Sequence, residues 1–420
     1  MRSGPHPTKK DWPDIKRGTA NGLAEAVHDH RPGDMVEVVI ERIVPNGFGL
    51  AFADELTIFV ALSAPGDRVR ARLTKLKGTT AFAEIEVILE PSPFRVPPNC
   101  NYFGTCGGCD FQHIPYERQL SIKAEMLTDS LRRIGRLEVD ELPIIASPKR
   151  SGYRTRALWR ADLQSNSFGY YKRDSHEIVD IDHCPVLDER LDTVMQELRS
   201  SMRVGKVKGN KASFEASVGS AGRPSVFSPD ANLKCDEILI EAGGERYWSN
   251  AHTFFQGNLS LLDELIGAAT NDSYGSFALD LYCGVGLFSL PLARRFANVV
   301  GVESDHRSID LARRNAIAAE AENINFYVSG VGAFLANFEG PPLDLVLLDP
   351  PRAGTEKNVI RDVIKLGPKN VTYVACDGAV LARDLRRLVD GGYDIEHLVA
   401  LDMFPQTHHV EAVARLRRAI

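Results

Sequence analysis

Between Gly33 and Glu90 apolar and polar residues alternate with period two, as in MVEVVIERIVPNGFGLAFADELTIFVAL and GDRVRARLTKLKGTTAFAEIEVILE. That alternation is the mark of strands with one buried face. Asn46-Gly47, Ala64-Pro65-Gly66-Asp67 and Lys77-Gly78-Thr79-Thr80 supply turns. About five short strands are predicted, enough for a small closed barrel of oligonucleotide-binding (OB) type. Pro91, Pro93, Pro97 and Pro98 then mark a linker. Residues 100–255 read as mixed α+β, with a helix near Glu117–Arg133 and strands after it. From Gln256 the strand-like segments FALDLY, NVVGVES, LDLVLLD, NVTYVA, DIEHLVAL and HVEAVARL alternate with helical segments. This pattern predicts a doubly wound, mostly parallel Rossmann-like sheet. The expected organisation is a flexible tail over 1–30, a barrel over 31–92, a central domain over 93–255 and an α/β domain over 256–420.

Composition refines this picture. A chain of 420 residues, 44% hydrophobic and 25% charged, is too long for one core and reads as two or three globular domains. No apolar run is long enough to span a membrane. The first 30 residues lack the apolar segment of a secretory leader, which points to a cytoplasmic protein. A monomer is the default expectation. The net charge of −6 does not announce a nucleic-acid partner, but its distribution does. Arg68, Arg70, Arg72, Lys75 and Lys77 cluster in one stretch, and Lys149, Arg150, Arg154, Arg156, Arg160, Lys172 and Arg173 in another. Tyr153, Trp159, Phe168, Tyr170 and Tyr171 are interleaved in the second, as on a surface that stacks bases and neutralises phosphates. A solvated strand face is the competing reading for either stretch.

The first strand of the α/β domain ends in DLYCGVGLF, with Asp280, Gly284 and Gly286 at a strand-to-helix turn where a ligand can approach the backbone. Position 289 is serine, so the third glycine of the dinucleotide fingerprint is absent. Glu303 closes the next strand, where a carboxylate can accept both ribose hydroxyls of a nucleoside. An adenosine ligand without a pyrophosphate fits, and S-adenosylmethionine is such a ligand. Asp349-Pro350-Pro351 ends the fourth strand as a rigid platform for a flat base, with Asp349 as acceptor.

A methyl donor beside a nucleobase does not by itself call for a thiol. Base nitrogens attack a methyl sulfonium directly once oriented. Carbon 5 of uracil does not, unless a thiolate adds to carbon 6 and makes carbon 5 carbanionic. A base must later remove the carbon 5 proton. Cys376 follows the strand NVTYVA, and Glu411 opens the last strand within LDMFPQTHHVEAV. A position at a helix N-terminus and near a sulfonium predicts a lowered pKa for Cys376, and apolar neighbours predict a strengthened base in Glu411. A buried structural thiol is the alternative for Cys376.

Four further cysteines form a pattern. Cys100, Cys106 and Cys109 are spaced C-x5-C-x2-C, and Cys184 follows in DHCPVL. A disulfide framework is not expected in a cytoplasmic chain. Zinc sites usually pair two C-x2-C knuckles, and only one is present. Cys184-Pro185 resembles the Cys-Pro that closes some iron–sulfur sites. Iron–sulfur, zinc and unligated thiols remain the three options at this point. Cys235 is expected to be inert on a helix, Cys283 to be a packing residue, and His408 and His409 to serve turn hydrogen bonding or RNA contact.

On LDMFPQTHHVE, on DPPRAG and on Cys376, the span from Gln256 to Ile420 resembles the RNA uridine-5-methyltransferases, the TrmA/RumA superfamily. The resemblance implies a class I methyltransferase domain using S-adenosyl-L-methionine, with Cys376 as nucleophile and Glu411 as proton acceptor. It also implies that Gln256, Tyr282, Glu303 and Asp349 surround the methyl donor. The cysteine spacing is similar to that of the subgroup carrying a [4Fe-4S] cluster, which implies Cys100, Cys106, Cys109 and Cys184 as its ligands. The barrel resembles a TRAM domain, an RNA-binding module. TRAM, cluster and methyltransferase together are the arrangement of the RlmD-type enzymes of 23S rRNA. Around the nucleophile the family usually has Ser-Cys-Asn-Pro, whereas this chain has Ala375, Asp377 and Gly378, with Val380 for a threonine. A tRNA substrate, a non-catalytic RNA binder of ribosome assembly and a TRAM-bearing radical enzyme are the alternatives. The last conflicts with the x5 gap, the extra Cys184 and the G-x-G turn.

Overall fold

The computed structural model describes residues 30–204 and 210–419. The expected tail therefore lies, but for its last residue, outside the described residues. The chain divides into two compact units, one of residues up to 42 with 49–92 and one of residues 43–48 with 93 onward.

The first unit is built on six strands where about five were expected: β1 (Met35–Val39), β2 (Arg42–Val44), β3 (Phe48–Ala53), β4 (Leu56–Val60), β5 (Arg68–Lys77) and β6 (Thr80–Glu90). Their sheet order is β1-β5-β6-β4-β3-β2. Along β5 burial alternates residue by residue, so Val69, Ala71 and Leu73 face the core and the arginines between them face outward. Past β1 the chain crosses from one partner to another: Ile40 N–H donates to Asp67 O (2.9 Å) and Glu41 N–H to Leu50 O (2.9 Å). The buried Asp67 carboxylate accepts from the N–H groups of Ala64 (2.6 Å) and Ser92 (2.8 Å), which fastens the end of the unit to its central turn. The arginines of β5 do not form the unopposed positive surface the local sequence suggested. Arg68 pairs with Glu90 (2.7 Å), Arg70 with Glu37 (2.7 Å) and Arg72 with Glu86 (3.3 Å), all contributed by adjacent strands.

In the second unit α1 (Tyr116–Ser130) runs into one π-helical turn, Leu131–Gly135, and then β7 (Ile144–Ile145). An antiparallel sheet follows, made of β8 (Arg156–Asp162), β9 (Ser167–Tyr171), β10 (Ile178–Asp180), β11 (Lys211–Ser217) and β12 (Ser225–Phe227) in the order β10-β9-β8-β11-β12. Helix α2 (Glu189–Arg203), capped by Asp188, lays Leu191, Met195 and Met202 against Trp159, Phe168 and Phe214 to form its core. Trp159 and Phe168 are thus core residues rather than a stacking surface, and Tyr153 is 2% exposed. Cys235 lies on no helix. It sits between β12 and the hairpin of β13 (Glu237–Ala242) and β14 (Glu245–Asn250).

The remaining elements are α3 (Leu262–Thr270), β15 (Gly275–Leu281), α4 (Ser289–Ala293), β16 (Phe296–Glu303), α5 (His306–Ala318), β17 (Ile324–Val328), α6 (Val331–Ala336), β18 (Leu345–Leu348), α7 (Val359–Leu366), β19 (Asn370–Ala375), α8 (Gly378–Asp390), β20 (Tyr393–Leu401) and β21 (Glu411–Arg418). They build an eight-stranded sheet ordered β17-β16-β15-β18-β19-β21-β20-β7. Strands β15 to β19 pair in parallel, and β21 enters antiparallel between β19 and β20. Its edge strand β7 comes from the chain ahead of Gln256, and α1 and the π turn pack on α8. Two cores cover the two faces: Leu345 and Leu347 of β18 point into one, Val346 and Leu348 into the other. That continuous apolar run is what a strand buried on both faces requires. The outer strand β17, INFYV, carries only one buried residue, Phe326. Among the described residues no helix is long and apolar enough to cross a membrane.

Helix α1 is fixed to this sheet by a fully buried ion pair. Lys123 Nζ reaches Asp402 Oδ1 and also donates to Phe404 O (2.9 Å), and both charged side chains are 0% exposed. Lys123→Met should lower unfolding stability by about 3–5 kcal/mol, because Asp402 is left buried without its counter-ion. Urea denaturation of wild type and variant measures this, and a loss confined to the surface-pair range of about 0–1 kcal/mol would contradict it.

Candidate active site and cysteine pocket

Strand order reverses on either side of β15, so the crevice at the carboxyl ends of β15 and β18 is the topological switch point where ligands of open α/β sheets bind. Asp280, Tyr282, Glu303, Asp349 and Cys376 all lie at these carboxyl ends. Tyr282 takes a left-handed φ of +66°, and Gly284 (+54°) and Gly286 (+92°) continue the turn. A Cβ on Gly284 would meet nothing within 4 Å, so the turn borders open space. The Tyr282 and Cys283 N–H groups both donate to Val302 O (2.9 and 3.1 Å), which holds the turn against β16. The Tyr282 hydroxyl donates to Glu356. Glu303 Oε1 accepts from the N–H of Ser304 (2.6 Å) and Asp305 (2.8 Å).

Gln256, ahead of the sheet in sequence, donates through Nε2 to Asp349 Oδ2 (3.4 Å). Asp280 accepts from Ser289 Oγ (2.5 Å), while its other oxygen is buried without a partner. Burial, with the charge of Glu303 added, pushes the Asp280 carboxyl up to about 7. Burial, with the Asp280 charge added, does the same to Asp349, to about 7. An unpartnered buried carboxylate oxygen beside an open glycine turn fits a nucleoside ligand with donor groups.

Cys376 and Glu411 meet through strand register. Ala375 of β19 pairs with Ala412 of β21. Cys376 follows the last paired residue of β19 and Glu411 precedes its partner Ala412, and the Glu411 charge acts on the Cys376 thiol. Asp377 caps α8, accepting from Ala379 and Val380 N–H (2.9 Å each). Asparagine and aspartate are equivalent as caps, which accounts for an Asp here. The protein's own groups act against the lowering expected of a helix N-terminus with a sulfonium beside it. Burial and the carboxylates of Glu411, Asp349 and Asp377 push Cys376 up to about 12, with Arg352 pulling the other way. Glu411, 3% exposed, is raised well above the carboxylate range by burial and by Asp349, in the direction expected of a strengthened base. Arg352 of DPPR was not singled out by sequence reasoning, although it stood in a quoted motif. It contacts the His409 ring and is the cation acting on both Cys376 and Glu411.

The other four cysteines line one pocket together with Tyr102, Arg154 and Tyr170. Among the described residues no three His, Cys, Asp or Glu side chains converge on a point that would hold a single metal ion. The thiols surround a space instead. Burial raises Cys109 to about 11 and Cys184 to about 12, with Cys106 raising the first further and Cys109 the second. Burial disfavours the Arg154 charge, but the neighbouring Tyr153, Tyr170, Cys109 and Cys184 hold it protonated above its ordinary value. Four thiols around a space, with a buried cation among them, fit an anionic thiolate-ligated cluster better than one tetrahedral ion. Arg154 and Arg156 therefore point inward, the second donating to the carbonyls of Ala251 (3.1 Å) and Thr253. They do not belong to a phosphate-binding face. Half-buried Arg160 over the Tyr171 ring (5.6 Å) and exposed Lys149 and Lys172 remain of the expected basic and aromatic surface.

Residues 234–419 match the family described as tRNA (uracil-5-)-methyltransferase. The chain is 33% identical, over 92% of its length and 97% of the other, to an uncharacterised RNA methyltransferase of Gloeobacter violaceus. It is 32% identical to the 23S rRNA (uracil(1939)-C(5))-methyltransferase RlmD of Pseudomonas savastanoi pv. phaseolicola, covering 91% of this chain and 94% of that one. Among solved structures it is similar to the Pyrococcus abyssi tRNA (uracil-54, C5)-methyltransferase in complex with S-adenosyl-L-homocysteine. The TM-score is 0.72 at 26% identity, covering 91% of this chain and all of that one. Fold and crevice are thus those of a methyltransferase. Within that class, the chain belongs to the RNA uracil-5-methyltransferase family.

With its pKa raised to about 12, the Cys376 thiol of the unliganded protein should alkylate slowly at neutral pH. Its rate should still be climbing at about pH 10, whereas a free cysteine, with a pKa of about 8.5, has levelled off. Iodoacetamide labelling read by peptide mass spectrometry checks this, and a plateau by about pH 9 would contradict it.

Proposed function

We propose that the protein methylates carbon 5 of a uridine in 23S rRNA, using S-adenosyl-L-methionine and a covalent Cys376–uracil adduct. The observation that carries this reading is the β19–β21 register, which brings Cys376, just past the last paired residue of β19, to the edge of the sheet where Glu411 opens β21. S-adenosyl-L-methionine supplies the methyl group. Gln256, Tyr282, Glu303 and Asp349 hold the cofactor, and the buried carboxylates Asp280, Asp349 and Glu411 favour a cationic ligand over a neutral one.

The Cys376 sulfur adds to carbon 6 of the uracil and leaves carbon 5 as the nucleophile. Arg352 assists by stabilising the thiolate. After methylation Glu411 takes the carbon 5 proton. The electron pair of that C–H bond rebuilds the carbon 5–carbon 6 double bond, the C–S bond breaks, and the thiolate is released. Arg352 also holds His409 neutral, since burial and the adjacent cations push that imidazole well below its ordinary range.

A ribosomal substrate is favoured over tRNA because the RlmD relative is 32% identical to this chain, against 26% for the tRNA-modifying structure at the same 91% coverage. The tRNA-modifying Pyrococcus abyssi enzyme is the observation that keeps the second reading in view. Residues 31–92 serve as a TRAM-like RNA-binding barrel, supported by the two-sided pairing of the segment through Ile40 and Glu41. Residues 93–255 form the central domain and 256–420 the methyltransferase domain. Cys100, Cys106, Cys109 and Cys184 hold a [4Fe-4S] cluster whose contribution is structural, tying the linker after the barrel to the β8–β12 domain.

The first test is trapping on RNA from a deletion host grown with 5-fluorouracil, whose fluorine cannot leave as a proton. A denaturant-stable adduct on 23S rRNA, lost in Cys376→Ala, is the expected outcome. An adduct on tRNA alone overturns the ribosomal assignment, and no adduct overturns the covalent mechanism. For the cluster, Cys109→Ser should lose brown colour and soluble yield together. A colourless, soluble and fully active variant would overturn the structural role.

A further inference from the structure

The loop after Cys109 and the loop before Glu411 are fastened to each other. Asp110 Oδ2 accepts from the His408 backbone N–H (3.2 Å) and from its ring at Nδ1 (2.6 Å). Asp110 Oδ1 accepts from Arg173 Nη2 (2.9 Å), and the same nitrogen donates to Cys109 O (2.8 Å). The N–H groups of Asp110 and Phe111 both donate to Gln406 O (2.9 and 3.0 Å). Gln406 is held at a left-handed φ of +68°. Its side chain and N–H exchange hydrogen bonds with Gln119 of α1 (3.0 and 3.1 Å). Three residues past His408 comes Glu411.

The same loop is already anchored at its start by Lys123 on Asp402 and Phe404 and by the Tyr153 hydroxyl, which donates to Pro405 O (2.9 Å). Those contacts lie six to nine residues before Glu411, at Asp402–Pro405. Nearer the base, Asp110 holds His408 and Arg352 reaches the His409 ring, and Asp110 is itself only 12% exposed.

We propose that Asp110 is a positioning residue for proton abstraction: by clamping His408 it sets where the Glu411 carboxylate meets carbon 5. The cysteine loop is then the mount of the base as well as one wall of the cysteine pocket. This inference rests on the covalent reading above. Addition of Cys376 to carbon 6 and methylation of carbon 5 do not use Glu411, so they should survive loss of the clamp. The step that slows is the last one, in which the carbon 5 proton passes to Glu411, the ring double bond re-forms and the C–S bond breaks.

The experiment uses the full-length, iron-loaded protein, S-adenosyl-L-methionine and rRNA containing ordinary uridine. Protein-linked and released methylated RNA are separated on a denaturing gel for wild type, Asp110→Ala, Asp110→Asn and His408→Ala. Iron content is measured on each. Asp110→Ala should accumulate adduct and lose turnover by up to about 100-fold, the scale of a 1 Å misplacement of a reacting group. Its KM for S-adenosyl-L-methionine and its iron content should stay at wild-type values. His408→Ala and Asp110→Asn should give smaller losses, because each keeps part of the hydrogen bonding between the two loops. Asp110→Ala with wild-type turnover and no excess adduct would overturn the inference. So would variants that lose iron, or in which adduct formation and release fall equally. A wild-type protein that cannot be trapped on 5-fluorouracil RNA would instead overturn the covalent reading, whereas a trapped wild type beside an unaltered Asp110→Ala overturns only the clamp.

Discussion

The site depends on one topological constraint, the antiparallel entry of β21 between β19 and β20. Parallel strands of such a sheet all end on the same edge, and their first residues lie on the opposite one. A parallel β21 would therefore begin far from Cys376. Because β21 runs the other way, its first residue, Glu411, arrives at the edge where β15, β16, β18 and β19 end. A one-residue slip of that register would turn Glu411 to the other face of the sheet. The loop from Asp402 to Val410 must reverse the chain before β21. The buried Lys123–Asp402 pair, the Gln119–Gln406 exchange and the Asp110–His408 clamp each fix part of that reversal.

Burial at this edge has an electrostatic consequence. Asp280, Asp349, Glu411 and Cys376 are withdrawn from water together, and the protein brings mainly Arg352 to oppose their charges. In the unliganded protein the thiol and the carboxyls are accordingly driven toward their neutral forms. A cationic ligand would oppose that balance, and under the proposed reaction this links occupancy of the crevice to activation of Cys376. The cysteine pocket follows the opposite pattern, with the Arg154 cation already buried among the thiols.

Much of this was legible in the sequence. The period-two stretch of residues 33–90 forms strands, the alternation after Gln256 forms a mostly parallel sheet, and LDMFPQTHHVE forms the loop and strand that carry Glu411. What escaped was set by distant partners. The β5 arginines looked like a bare cationic stripe, but Glu37, Glu86 and Glu90 come from neighbouring strands. Trp159, Phe168 and Arg154 looked like an RNA surface, yet alternation along β8 and β9 cannot say which face α2 covers. The lowering expected at Cys376 combined a helix N-terminus with a sulfonium, and the carboxylates that the fold gathers around the thiol oppose it. The role of Asp110 had no local signal, since its partner His408 lies nearly three hundred residues away.

The central claim is that carbon 5 is activated by Cys376 and cleared of its proton by Glu411. It is tested most directly with rRNA carrying tritium at carbon 5 of uridine. The account predicts tritium release into water in step with methyl transfer, one for one, and none of either in Cys376→Ala. Methyl transfer without tritium release would place the new methyl on another atom and contradict the account.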